Sequence, residues 1–158
     1  MKENHGLILI KGSSIHGRGI FAKKEILKNK RIIEYVGEKI TKKQSDKIFL
    51  QTLKKASKDK TKGEVYLFDL NKKYDINGDV PKNTAKYINH SCNPNCETEI
   101  IDDKEIWVVS KRKINIGEEL SFNYGFGLEE YKDYPCKCNS PNCMGYILDK
   151  KLWPKMQK

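Results

Sequence analysis

The sequence predicts a mainly β domain with one lysine-rich helical insert. Three observations carry this: short runs rich in β-branched and aromatic residues, polar or glycine punctuation between them, and one longer segment with helical periodicity. Leu7 to Ile10 is the first strand run, and Arg31 to Val36 the second. Thr41 can then cap a helix that places Ile48, Phe49, Leu53 and Ala56 on one broad face, so the insert is expected over about residues 41–63. Val65 to Leu70 returns to strand. Asn89 to Cys96 reads as an ordered loop, because each Asn amide needs partners and Pro94 lacks a ladder donor. Glu97 to Ile101 and Glu105 to Val109 form a strand pair across an Asp102-Asp103-Lys104 turn. In the last run, Leu120 to Tyr124, the alternation of Leu120, Phe122 and Tyr124 predicts a half-buried strand whose Tyr end faces inward. Alternation stops after Phe126, and Gly127 through Pro135 lead into a cysteine-bearing tail.

A chain of 158 residues has room for one domain with a modest core. Leu7 to Ile10 is shorter than a signal-peptide apolar region, and no stretch approaches the ~18 apolar residues of a membrane span. A soluble protein without membrane partners is therefore expected. The 31 Lys and Arg outnumber the 21 Asp and Glu, giving a net charge of +10 and a long-range attraction for polyanions. Many of these lysines lie between Lys39 and Lys62, either as a solvated helix face or as a contact with nucleosomal DNA or another polyanion. Five cysteines make an odd number, which disfavours a pure disulfide framework and favours reduced thiols or metal ligands.

Two clusters carry potential chemistry. His16-Gly17-Arg18-Gly19 sits between strand-like segments, where glycines let the backbone bend and approach a ligand closely. Cys136, Cys138 and Cys143 supply three thiolates in a short loop, either as a redox pair, which Cys-x-Cys spacing would strain, or as a tetrahedral zinc site one ligand short, whose fourth ligand must come from elsewhere.

Asn89-His90-Ser91-Cys92-Asn93-Pro94-Asn95-Cys96, followed by Glu118-Glu119-Leu120-Ser121-Phe122-Asn123-Tyr124, resembles the two signature segments of SET-domain protein lysine methyltransferases. The resemblance extends to Ser14-Ile15-His16-Gly17-Arg18-Gly19-Ile20-Phe21, Glu34-Tyr35-Val36-Gly37-Glu38, Tyr66-Leu67-Phe68-Asp69 and the Cys136-x-Cys138-x4-Cys143 tail, in the family's order. It implies small curved sheets around a C-terminal pseudoknot that brings Asn89, His90 and Tyr124 together. It also implies a SET domain over residues 1–126, a post-SET zinc-binding segment over 127–148 and a tail over 149–158. Carried over residue by residue, the resemblance assigns His16, Arg18, Gly19, Tyr66, Asn89 and His90 to S-adenosylmethionine. Tyr124 and Tyr66 become the catalytic tyrosines, and Tyr66, Phe68, Phe122 and Tyr124 the walls of a lysine channel. Cys92 becomes the fourth zinc ligand beside Cys136, Cys138 and Cys143, leaving Cys96 as an unpaired thiol.

The implied reaction moves a methyl group from a sulfonium to an amine, an in-line displacement that depends on alignment. A lysine amine must first lose its proton, at about 4 kcal/mol near neutral pH, and an aromatic channel beside a sulfonium lowers that cost. Phe122 stands at the family's Phe/Tyr switch, where Phe leaves room for di- or trimethylation. Asn77, Lys86, Asn123 and Met144 depart from the family's usual residues, at positions that support the knot more than the chemistry. The implied substrate is a histone tail, which places the protein in the nucleus or on chromatin, a host's if the source is microbial. The alternatives are a methyltransferase of a non-histone basic protein and a catalytically silent, zinc-stabilised chromatin-binding module.

Overall fold

The computed structural model describes residues 6–58, 64–129 and 131–156. The chain divides into two compact units: Met1–Ile33, Tyr87–Glu99 and Val108–Lys158 make the first, and Glu34–Lys86 with Ile100–Trp107 the second. Among the described residues there are ten short strands and one α-helix, so the fold is mainly β.

In the first unit, β1 (Ile8–Gly12) and β2 (Arg18–Ala22) form an antiparallel hairpin in which Ile8 faces Ala22 and Gly12 faces Arg18. The connecting turn is closed by Ser13 N–H donating to Gly17 O at 2.9 Å, with Gly17 at φ 46°, a conformation glycine adopts without a steric cost. Ala22 N–H donates to Glu118 O at 2.9 Å and Leu120 N–H to Ile20 O at 2.8 Å, so residues 118–120 line the other edge of β2. The same stretch continues as β10 (Ser121–Phe122), which pairs in parallel with β7 (Asn89–His90), Ser121 opposite Asn89 and Phe122 opposite His90. One continuous segment thus ties the N-terminal hairpin to the Asn-His motif. Beneath it lie Ile20, Ile26, Ile114, Leu120 and Leu148, none more than 1% exposed. Burying such a side chain stabilises a fold by about 1.5–3 kcal/mol.

The second unit is built on a sheet with strand order β4 (Glu38–Thr41), β6 (Tyr74–Asn77), β5 (Leu67–Asp69), all antiparallel. The helix α1 (Lys42–Lys58) follows β4 directly and opens with a capping box. Thr41 N–H donates to Gln44 Oε1 at 2.8 Å, and Gln44 N–H returns to Thr41 Oγ1 at 3.3 Å. Lys42 Nζ bonds Asp69 at 2.8 Å and Asp75, fastening the first helical turn to β5 and β6. A sheet not confined to the second unit, of order β3-β9-β8, combines β3 (Arg31–Glu34) with the hairpin strands β8 (Cys96–Ile101) and β9 (Glu105–Ser110). Their turn has Asp102 at φ 50° and Asp103 at φ 52°, with Lys104 N–H donating to Ile101 O at 2.9 Å. Two left-handed residues in a row make the turn type I′, the twist a tight hairpin requires.

The helix, its Thr41 cap and the Asp102-Asp103 hairpin match the sequence reading. Ile48, Phe49 and Leu53 are half-buried as expected, while the Ala56 side chain and insert residues 59–63 lie outside the described residues. Several expectations need correction. The strand expected over Leu7 to Ile10 runs Ile8–Gly12, that over Arg31 to Val36 ends at Glu34, and that over Val65 to Leu70 shrinks to Leu67–Asp69. The segment Leu120 to Tyr124 is strand only at Ser121–Phe122, and its alternation does not separate two faces, since Leu120, Ser121 and Phe122 are all buried. Asn89–His90, expected within a loop, is a buried strand, because the amide it buries finds partners.

Candidate functional site

Asn89 is 7% exposed and fixes the loop between β1 and β2 from below. Its Nδ2 donates to His16 O at 3.3 Å, to Arg18 O at 3.1 Å and to Glu119 Oε1 at 2.8 Å. Ser13 Oγ donates to the same carboxylate at 2.8 and 3.0 Å. Glu119 therefore anchors both ends of the arrangement, a part the sequence reading did not give it. The available signal was a pair of acids, Glu118 and Glu119, placed immediately before a buried apolar strand. Gly19 is needed here: a Cβ would stand 2.9 Å from Glu119 Cδ and 3.1 Å from Phe21 Cε2. At the loop's edge the exposed Arg18 guanidinium stacks 4.0 Å over the Tyr87 ring and donates from Nη2 to the Tyr87 hydroxyl at 2.7 Å. The held guanidinium suits a carboxylate on a ligand, while the position without a side chain lets the backbone approach it closely.

His90 and Tyr124 meet through the backbone. Tyr124 N–H donates to His90 Nδ1 at 3.2 Å, and the two rings stand edge-on with centroids 5.4 Å apart. Tyr124 Oη donates to Ile88 O at 2.8 Å, holding the ring by both its ends. Phe122 packs 5.1 Å from Tyr124, and Phe126 follows on the other side at 6.1 Å. Phe126 in turn stacks edge-on with Tyr134 of the tail at 4.7 Å. Burial pushes His90 down to about 4, so the imidazole is neutral near neutral pH.

The four cysteines named from the sequence converge. The Sγ atoms of Cys92, Cys136, Cys138 and Cys143 all lie within 4.8 Å of one another, with Cys92 at 3.9 Å from Cys136 and 4.0 Å from Cys143. A tetrahedral zinc with bonds of about 2.3 Å sets its sulfurs about 3.8 Å apart, so the residues fit that metal. Backbone N–H groups already point at the sulfurs: Cys92 N to Cys138 Sγ, Cys138 N to Cys136 Sγ and Gly145 N to Cys143 Sγ, each at 3.4 Å. Burial pushes the Cys138 thiol up, but the Cys92 N–H and Ser140 outweigh it and bring the thiol down to about 6. Cys96 stands outside the cluster, fully buried, and burial raises its thiol to about 12. The tail that carries three of the ligands is closed by a Pro135–Tyr146 bridge, with Cys136 N–H on Gly145 O and Ile147 N–H on Tyr134 O, both at 2.9 Å.

Tyr66 and Phe68 belong to the second unit. There Tyr35 Oη donates to Tyr66 O at 2.9 Å, and the Tyr35 ring lies 5.2 Å from Phe68. The Tyr66 hydroxyl bonds Glu64, and Lys86, paired with Asp79 at 3.3 Å, stands over the Tyr66 ring at 5.3 Å. A cavity of about 130 Å³ opens beside this tyrosine, bounded by Ile48, Thr52, Glu64, Leu67 and Asp79.

The fold, the Asn-His strand and the tail of thiols define a class: the SET domain family matches residues 17–125, and the chain belongs to that family. Its relatives include histone-lysine N-methyltransferase trr of Drosophila melanogaster, 40% identical over 85% of this chain and 6% of the relative. Histone-lysine N-methyltransferase set1 of Dictyostelium discoideum is 36% identical over 90% of the chain and 9% of its own length. Histone-lysine N-methyltransferase SETD1B of Homo sapiens is 38% identical over 85% and 7%. The chain thus spans less than a tenth of the length of these relatives.

Proposed function

We propose that this chain is a protein-lysine N-methyltransferase that takes its methyl group from S-adenosylmethionine and acts on a histone. The observation that carries the reading is the arrangement around β7. Asn89 pins the His16-to-Gly19 loop, while the next residue, His90, receives the Tyr124 amide. His16, Arg18, Gly19, Asn89, His90 and Tyr66 form the cofactor site in this proposal, with the Arg18 guanidinium beside the carboxylate. S-adenosylmethionine supplies an electrophilic methyl on a cationic sulfur. Tyr124 and Tyr66 orient the acceptor amine, and with Phe68 and Phe122 they exclude water, so that the amine sheds its proton and presents its lone pair. Phe122 adds no hydroxyl to the channel and leaves volume for a second and third transfer.

The SET domain then covers residues 1–126, the post-SET segment 127–148 and the tail 149–158. Zinc held by Cys92, Cys136, Cys138 and Cys143 makes the tail part of the folded site. Its ligands include the residue two beyond His90, which is why metal and activity are expected to be lost together. A histone substrate implies work on chromatin in a nucleus, where the net charge of +10 favours contact with nucleosomal DNA. Among the described residues no helix is long and apolar enough to cross a membrane. The test is incubation of purified chain with radiolabelled S-adenosylmethionine and separated core histones, followed by mass spectrometry of the labelled band. Methyl-lysine on a histone supports the reading. Label only on a non-histone basic protein redirects the substrate, and cofactor binding without transfer to any protein sinks the enzymatic reading.

A further inference from the structure

We infer that His90 is a positioning residue that joins the cysteine centre to the Tyr124 end of the β10 segment, donating from Nε2–H to the Cys92 thiolate while accepting the Tyr124 amide at Nδ1. The inference rests on the zinc reading of the four cysteines. Its geometric basis is the division of labour between the two ring nitrogens. A backbone N–H can only donate, so the 3.2 Å bond from Tyr124 N requires a lone pair on Nδ1. The neutral ring then carries its hydrogen on Nε2, and that atom stands 3.6 Å from Cys92 Sγ, a hydrogen-bond distance for an acceptor as large as sulfur. Both residues are enclosed, His90 at 3% exposed and Cys92 at 0%, which leaves little room for water to compete. The imidazole therefore bridges two elements far apart in the chain, with Tyr124 34 residues beyond His90 and Cys138 46 beyond Cys92.

Two consequences follow for a zinc-loaded site. A thiolate that accepts an N–H in addition to its metal bond has part of its charge neutralised, which strengthens retention of the metal. The ring orientation that serves Cys92 also fixes where the Tyr124 backbone sits, so the position of the tyrosine becomes sensitive to whether the centre is filled. Met144 N–H also reaches Cys92, so the histidine shares the sulfur with the tail it helps to hold.

The test uses the full chain, purified with zinc and, in parallel, exchanged with a spin-half cadmium isotope. Nitrogen NMR of the His90 ring is expected to show a protonated Nε2 and an unprotonated Nδ1, with scalar coupling between cadmium and the Nε2 proton. Two variants divide the bonds. His90→Asn places an acceptor near the former Nδ1 but cannot reach Cys92. It is expected to release zinc to a chelator about tenfold faster while keeping the Tyr124 amide protected from hydrogen exchange. His90→Gln extends a donor toward Cys92 and gives up the acceptor, so zinc release stays near wild type and the Tyr124 amide loses about tenfold in protection. A purely packing role would move both readouts together in both variants, which overturns the inference, as does a proton on Nδ1. A chain that binds neither metal overturns the zinc reading itself, and the inference with it. Zinc bound through four cysteines and released at the wild-type rate by His90→Asn overturns the inference alone.

Discussion

Gly19→Ala tests whether the β1–β2 loop is the cofactor site. The new methyl would lie 2.9 Å from Glu119 Cδ and 3.1 Å from Phe21 Cε2, and closer still to Oε1. Carbon atoms prefer about 3.5–4.0 Å, so the carboxylate must withdraw by about 0.6–1 Å. That movement strains or breaks its bonds from Asn89 Nδ2 and Ser13 Oγ, both at 2.8 Å. A hydrogen bond to a charged group contributes about 1.5–3 kcal/mol, and Glu119 is half-buried, so water replaces part of what is lost. A net cost of about 2 kcal/mol is expected. If ordering the loop falls on ligand binding, that cost weakens affinity for S-adenosylmethionine about 30-fold, which titration calorimetry resolves easily. Gly12→Ala is the matched control, because a Cβ there meets nothing within 4 Å. Calorimetry in which both variants bind within twofold of wild type would refute the loop as the binding site, and equal weakening in both would refute the part given to Glu119.

Other substitutions probe the remaining parts. Tyr124→Phe removes the bond to Ile88 O, costing about 1 kcal/mol of stability, and is expected to keep cofactor affinity while single-turnover methyl transfer falls at least ~100-fold. Replacing Cys92, Cys136, Cys138 or Cys143 by Ser should each abolish stoichiometric zinc, whereas Cys96→Ser should retain it, as read by metal analysis. Phe122→Tyr should hold products at monomethyl-lysine without slowing the first transfer; a mass-resolved time course identical to wild type returns Phe122 to a packing role. Burial works to raise Glu118, but bonds from Arg112, Asn95 and the Asn115 N–H outweigh it and hold the carboxyl below its ordinary value. Its stabilising contribution is complete above that ordinary value and is lost as pH falls through the depressed folded one, so Arg112→Met should flatten the acid limb of denaturant midpoints below the ordinary carboxylate range.

The parts of the molecule legible in the sequence were those whose chemistry is local. Thr41 announces a helix start, and two aspartates before Lys104 announce a tight turn. Cysteines have so few uses in a reduced chain that three close together identify a centre. What was missed depends on partners remote in sequence. The glycines of His16-Gly17-Arg18-Gly19 point to a bend, yet with β1 on one edge and residues 118–120 on the other the chain is already strand from Arg18 to Ala22. Glu38–Thr41 and Tyr74–Asn77 carry too few apolar residues to reveal alternation, and each is a strand because the other is present. Asn89 looked unsuited to burial because Glu119, which satisfies its amide, is 30 residues away.

The spacing of the four thiols also bears on how the chain reaches this fold. Cys136, Cys138 and Cys143 fall within one short loop, whereas Cys92 is 44 residues before the nearest of them. An unfolded chain can therefore present three thiolates to a metal ion at little entropic cost, and recruiting the fourth means closing a long loop, at about 3 kcal/mol. The tail becomes a metal-loaded hook before it has anything to catch. Docking of Cys92 is then the event that ends assembly, and refolding with zinc already on the tail should outpace refolding in which the metal arrives last.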